Sequence, residues 1–229
     1  MSLINKIEVF GDSILKGIQV QPNSPKYHVE NHIDTEAISK KHTVSIVNNS
    51  KFGCTVTKGL ATLQKRMQKS ITFDTVIMDF GGNDCDMDWQ AISDNPYQEH
   101  LSKTPLQAFI STYKEVIYLL KNHDVLPILT TLPPLAPQRF FDWFCGNLNK
   151  ENVLIWLGDV MAIYRHQENY SRAVERIALE CKVPIVDLRG AFLQHRQMER
   201  LLCEDGTHPN TEGQKVITDA FLAFAESGL

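Results

Sequence analysis

"EVFGDSILKG", residues 8–17, carries an apolar, strand-like run into Gly-Asp-Ser and then into a stretch that reads as a helix. Its last turn residue, Ser13, is either a nucleophile or a hydroxyl that caps the next helix. Asp and Ser are preferred N-caps and Gly commonly turns a chain between elements, so the segment alone favours the structural role. What surrounds it decides the fold and shifts that balance.

The strand-like character recurs. "KIEVF" (6–10), "TVSIVN" (43–48), "TVIMDF" (75–80), "VLPILTT" (125–131) and "VPIVDL" (183–188) are short, apolar and β-branched, as strands buried on both faces are. Between them, "TKGLATLQKRMQ" (57–68), "PLQAFISTYKEVIYLLKNH" (105–123), "YSRAVERIALECK" (170–182) and "TEGQKVITDAFLAFAES" (211–227) repeat apolar residues at helical spacing. Strands alternating with helices imply an α/β fold with a parallel sheet covered on both sides, and right-handed crossovers limit it to a few doubly wound topologies. Ligands of such sheets sit beyond the carboxyl ends of the strands. The first three strands end at Gly11–Ser13, Asn48–Gly53 and Gly81–Asp84, which places three polar turns on one rim.

Two connections, 85–104 and 132–157, exceed the usual α/β loop of about 2–6 residues and follow strand ends on that rim. They are expected to wall a pocket. Phe140, Phe141, Trp143 and Phe144 in the second, with Trp89 in the first and Asp12 in the opening turn, are the candidate substrate-binding residues. A satellite core or a dimer contact would use the four clustered aromatics equally well.

The chain has 229 residues, 43% of them hydrophobic and 22% charged, and a formal net charge of −4. That suits one globular domain, 1–229, and lacks the basic footprint a nucleic-acid partner needs. Neither a signal-like N-terminus nor a run of about 18 apolar residues occurs, so no membrane association is expected and the location reads as cytoplasmic. The five cysteines are odd in number and free of CxxC spacing, which argues against disulfides and a zinc site. Asp84, Asp86 and Asp88 alternate like a calcium loop, but Trp89 stands where that loop needs Gly and Asn95 where it needs Glu. His28 and His32 in "HVENH" have helical i, i+4 spacing without a third ligand, which leaves them a solvated or capping role. No metal and no cofactor is implied.

"CEDGTHPNTEGQ" (203–214) adds a base: Thr211 with Gln214 reads as a capping box, so the final helix starts after Asn210 and Asp205 and His208 share the turn before it. Alone, such a pair is an ordinary surface turn. In the right turn, Asp205 fixes the His208 tautomer and frees Nε2 to take a proton. "DFGGNDCD" (79–86) offers the Asn83 amide and "NNSKFGCT" (48–55) the Gly53 N–H, which with the Ser13 N–H make three oxyanion donors. A hydroxyl, an oriented base and these donors form the inventory for acyl transfer.

These blocks, "FGDSILKG", "NNSKFGCT", "GGND" and "DGTHPN", resemble in kind and order those of the SGNH hydrolase superfamily, the GDSL-type esterases and lipases. The resemblance implies Ser13 as nucleophile, His208 as general base and acid, Asp205 as its orienting partner, and Gly53 and Asn83 as oxyanion donors. It further implies a flavodoxin-like three-layer α/β/α fold with five parallel strands in the order 2-1-3-4-5. The second block departs from the family's Gly-x-x-Gly-Asp-Thr at Ser50 and Cys54, the latter a rival nucleophile. The expected activity is cleavage of a small-molecule carboxylic ester through an acyl-serine, with short acyl groups such as acetyl on a carbohydrate or other small molecule. Acyl transfer at the same site, and a non-catalytic binding module of the same fold, are the alternatives.

Overall fold

The structure is a computed structural model describing residues 5–21 and 24–227. Residues 1–4, 22–23 and 228–229 of the expected domain, including the start of the N-terminal stretch read for targeting, lie outside the described residues. In chain order the elements are β1 (Lys6–Gly11), α1 (Ser13–Lys16), β2 (Ile18–Val20), β3 (Tyr27–Val29), α2 (Thr35–His42), β4 (Ser45–Asn48), α3 (Val56–Lys69), β5 (Thr75–Asp79) and α4 (Trp89–Asp94). Then follow α5 (Leu106–Lys121), β6 (Leu126–Thr130), α6 (Pro137–Phe144), α7 (Lys150–Leu157), α8 (Met161–Cys181), β7 (Ile185–Val186), α9 (Leu188–Leu193), a 3-10 turn (Met198–Leu201) and α10 (Thr211–Glu226).

Five strands pair in the order β4-β1-β5-β6-β7, all parallel, which is the expected 2-1-3-4-5 arrangement. Val9 pairs with Asn48 on one side and Ile77 on the other, and Gly11 with Asp79. The chain leaves β1 for β4 and returns across it to β5, so the strand order reverses beside the carboxyl end of β1. Ligand sites of open α/β sheets form at that point.

Alternation along the strands divides the core. Phe10, Val76 and Met78 pack with Leu63 of α3, Tyr113 and Ile117 of α5 and Tyr170 and Ile177 of α8. Ile7, Val9, Ile77 and Ile128 face the opposite side with Ile38 of α2, Phe192 of α9 and Ile217 and Phe221 of α10. A third cluster, Met87, Ile92, Leu135, Phe141, Cys145, Val153 and Ile163, knits the two long connections together. These connections fold into α4, α6 and α7, because each carries enough apolar residues to bury a face of its own.

The helix expected after Gly-Asp-Ser is present, and local expectations need correction at three other points. The helix after Gly-Asp-Ser is one turn long, ended by Gly17 at φ +72°, where a Cβ would stand 2.6 Å from Asn31 Cβ. Residues 27–29 form a strand of an antiparallel hairpin with β2, so His28 and His32 have no helical spacing, and each instead meets Glu30 through Nε2, at 2.7 and 3.0 Å. The helix expected at 170 begins at Met161. The last helix starts as expected, but its cap is Asn210, whose side chain accepts from Glu212 and Gly213 N–H, while buried Gln214 accepts from His32 N–H at 2.5 Å. Among the described residues no helix is long and apolar enough to cross a membrane.

Candidate active site

Ser13 opens α1 immediately beyond β1, buried, with Asp12 rather than itself as the cap: Asp12 Oδ1 accepts from Ile14 N–H at 2.8 Å. Gly11 lets three strand ends converge, since a Cβ there would lie 3.0 Å from Asp79 Cβ and 3.1 Å from Ser50 Oγ. Ser13 Oγ lies 2.8 Å from His208 Nε2, and His208 Nδ1 lies 2.5 Å from Asp205 Oδ2. The three side chains thus form one chain of hydrogen bonds.

The turn carrying the last two is held from several directions. Asp205 Oδ1 accepts from Thr207 and His208 N–H at 3.0 and 3.1 Å, Cys203 N–H donates to the His208 carbonyl at 2.8 Å, and Arg139 of α6 donates to the Cys203 carbonyl at 3.1 Å. Gly206 sits at φ +72°, and a Cβ on it would come within 2.7 Å of the Ala136 carbonyl oxygen. Burial by itself would raise the Asp205 carboxyl, but the hydrogen bond and charge of His208 and the two backbone donors outweigh it and leave it below its ordinary value. An ionised carboxylate there fixes Nδ1 as the protonated nitrogen, which leaves Nε2 as the acceptor facing Ser13.

On the other side of Ser13, Asn83 donates one amide hydrogen to Asp12 Oδ2 at 3.0 Å and retains a second. Gly53 takes φ +68° with open space where a Cβ would stand, and among the described residues no acceptor engages its N–H or that of Ser13. The Gly53 turn is tied to β1 by Lys51 N–H donating to the Gly11 carbonyl at 3.0 Å. Ser50, which replaces a family glycine, is buried and braced by its N–H donating to Asn48 Oδ1 at 2.9 Å. Cys54 is buried and its thiol is pushed up by that burial, the wrong direction for a nucleophile.

The candidate substrate residues divide. Asp12 is buried under the site, with both carboxylate oxygens already accepting from Ile14 and Asn83, and is a cap and a brace rather than a substrate contact. Phe141 belongs to the third core cluster, and Phe144 stacks on Trp89 at 4.0 Å between ring centres. Trp89 and Phe140 line a cavity that Gly82 lines as well. Trp143 reaches the site edge, donating to the Tyr27 hydroxyl at 2.9 Å. Two rings escaped the sequence reading: Tyr27 and Phe52, whose centres lie 5.2 and 6.2 Å from that of His208. Phe52 stands inside a block already singled out, but nothing marks Tyr27 before the hairpin folds it over the site. The acidic alternation is fully engaged: Asp84 accepts from Val56 N–H, Asp86 from Trp89 and Lys103, and Asp88 caps α4. Among the described residues no group of three or more His, Cys, Asp or Glu is placed to hold a metal ion.

A sequence profile of the GDSL-like lipase/acylhydrolase family matches residues 9–216, which includes every residue of this hydrogen-bonded chain. The protein belongs to that family. It is 30% identical over 127 residues to an isoamyl acetate-hydrolyzing esterase of Saccharomyces cerevisiae, an alignment covering 54% of this chain and about half (49%) of that protein. Its fold is that of a lipase/acylhydrolase from Enterococcus faecalis, with TM-score 0.68, 18% identity, and 98% and 96% of the two chains covered. It is equally that of an acetylxylan esterase from Geobacillus stearothermophilus, with TM-score 0.66, 20% identity, and 98% and 94% covered.

Proposed function

We propose that this GDSL-like protein is a serine esterase that cleaves a carboxylic ester of a short acyl group, such as acetyl, on a carbohydrate or other small molecule. The observation that carries the reading is the 2.8 Å contact between Ser13 Oγ and His208 Nε2, with Asp205 on the far ring nitrogen. The acetate ester and acetylxylan in the names of two similar proteins support a short acyl group.

His208 Nε2 takes the hydroxyl proton as Ser13 Oγ bonds to the ester carbonyl carbon. The carbonyl oxygen becomes an oxyanion and is met by the N–H groups of Ser13 and Gly53 and the second amide hydrogen of Asn83. As the tetrahedral centre collapses, the bond to the leaving oxygen breaks and the His208 proton passes to it, releasing the alcohol. Water then repeats the sequence on the acyl-serine, giving the acid and restoring Ser13. Asp205 stays ionised throughout and stabilises the transient imidazolium.

Turnover of p-nitrophenyl acetate by the protein and by Ser13→Ala, together with labelling by a fluorophosphonate, tests the assignment. Labelling confined to Ser13 and a loss of about 10⁶ in turnover in the variant are expected. An unlabelled folded protein, or a variant as fast as its parent, rejects it.

A further inference from the structure

The ring of Tyr27 is centred 5.2 Å from that of His208 and 5.3 Å from that of Phe52, and Phe52 lies 6.2 Å from His208, so the three rings meet mutually. Trp143 of α6 adds a polar contact, its indole N–H donating to the Tyr27 hydroxyl oxygen at 2.9 Å. Among the described residues, none of Tyr27, Phe52 and Trp143 belongs to the three core clusters, and Tyr27 is 39% exposed, so these rings add little to the core. The hairpin that carries Tyr27, and the segment after it, are fixed to the helix that follows His208. Gln19 Nε2 donates to Thr211 Oγ1 at 3.5 Å, His32 N–H to Gln214 Oε1, and Asp34 N–H to Thr218 Oγ1 at 3.0 Å.

An indole N–H can only donate, so the Tyr27 oxygen accepts in that bond and its own hydrogen is left to give. Burial, then the charge of Asp205 and a hydrogen bond with it, push the Tyr27 hydroxyl up to about 12, against the bond from Trp143. At neutral pH it is therefore a protonated donor with Asp205 beside it. We infer that Tyr27 is a positioning residue for His208: its ring packs on the imidazole while its hydroxyl, oriented by Trp143, donates to Asp205 and keeps Nε2 aimed at Ser13 Oγ. The inference rests on the esterase reading above. The bonds that Asp205 takes from Thr207 N–H, His208 N–H and His208 Nδ1 all lie within one turn, and they hold its shape but not its aim. Tyr27 reaches that turn from a different part of the chain, and α6 braces both, through Trp143 to Tyr27 and through Arg139 to the Cys203 carbonyl. A donor on Asp205 also draws charge away from the imidazole and so tempers its basicity, an effect that packing alone does not produce. The other charged groups at hand are Asp86, which acts on Tyr27, and Arg139 and Glu204, which act on Cys203. The variants below leave all three in place.

The test measures kcat, KM and the pH profile of kcat/KM for p-nitrophenyl acetate in the full chain, in Tyr27→Phe, in Trp143→Phe and in the double variant. Tyr27→Phe keeps the ring and removes the donor, so kcat is expected to fall about tenfold with KM within about twofold. The acid limb of kcat/KM is expected to rise by about half a pH unit, because Asp205 then keeps more of its charge for the imidazolium. Trp143→Phe should move both quantities in the same directions by less, and the double variant should match Tyr27→Phe, since Trp143 acts through the hydroxyl. A folded Tyr27→Phe with parental kcat, or with an unmoved acid limb, overturns the inference, and additive losses in the double variant do the same. If Tyr27→Phe does not fold, Trp143→Phe decides by the same two readouts; if neither folds, the pair serves stability and the inference falls. Each of these outcomes, with Ser13 still labelled by the fluorophosphonate, rejects this inference alone. An unaltered protein without turnover and with Ser13 unlabelled rejects the esterase reading and this one together.

Discussion

Asn83 Nδ2 donates to Asp12 Oδ2 at 3.0 Å, so the residue beside Ser13 orients a side chain from a neighbouring strand end. Burial and then the charge of Asp79 push Asp12 upward, while its bonds from Ile14 and Asn83 oppose that shift. The pair ties α1 to the turn after β5.

Removing the amide in Asn83→Ala is expected to lower kcat about 10² to 10³-fold with little change in KM, because the oxyanion exists only in the transition state. Asp12→Ala leaves the amide in place but unheld, and costs about 1 kcal/mol of helix cap besides. Steady-state kinetics beside thermal melts separate the two effects. An Asn83→Ala variant with parental kcat removes that amide from the mechanism.

Gly206 supplies a second handle. At φ +72°, with the Ala136 carbonyl oxygen 2.7 Å from where a Cβ would be, Gly206→Ala strains the turn and drives it off α6. A destabilisation of about 1–3 kcal/mol is expected from the backbone conformation alone, with turnover falling further because Asp205 and His208 move with the turn. Urea titration and ester turnover check both parts, and a variant of parental stability would contradict the close contact.

Asp79 sets a pH dependence of stability. Burial raises its carboxyl to about 6, against the hydrogen bond from Thr130, and its Oδ2 has no partner. Unfolded, an aspartate ionises near 3.9. The folded state therefore holds this proton more tightly, so the associated stability is complete below about pH 4 and is lost as pH rises through about 6. Two pH units correspond to on the order of 3 kcal/mol. Asp79→Asn, which mimics the protonated acid, should gain on its parent between pH 4 and 7 by denaturant titration. An equal difference at both pH values would assign the cost elsewhere.

Much of this was legible because its causes are local. The five strands announce themselves by β-branched runs, and the Asp205–Gly206–His208 turn by its residue types and its place just before a helix. What stayed hidden depends on tertiary contact. Gln214 reads as half of a capping box until the backbone N–H of His32, 182 positions away in the chain, claims its side chain. Phe141 and Trp143 are two positions apart on α6 and indistinguishable by composition, yet one faces the third core cluster and the other the Tyr27 hydroxyl. Tyr27 lies on β3, three residues long and largely exposed, paired with a buried β2 of three residues, and strands that short carry no hydrophobic period to mark them.

Ser13 and His208 are separated by 195 positions in the chain, with His208 on the turn that leads into α10. A nascent polypeptide emerging from the ribosome thus displays its hydroxyl and its amide donors while still wanting an imidazole. On the proposed mechanism ester turnover would begin only once the turn before α10 has docked against α1, so its rate would report that late docking step.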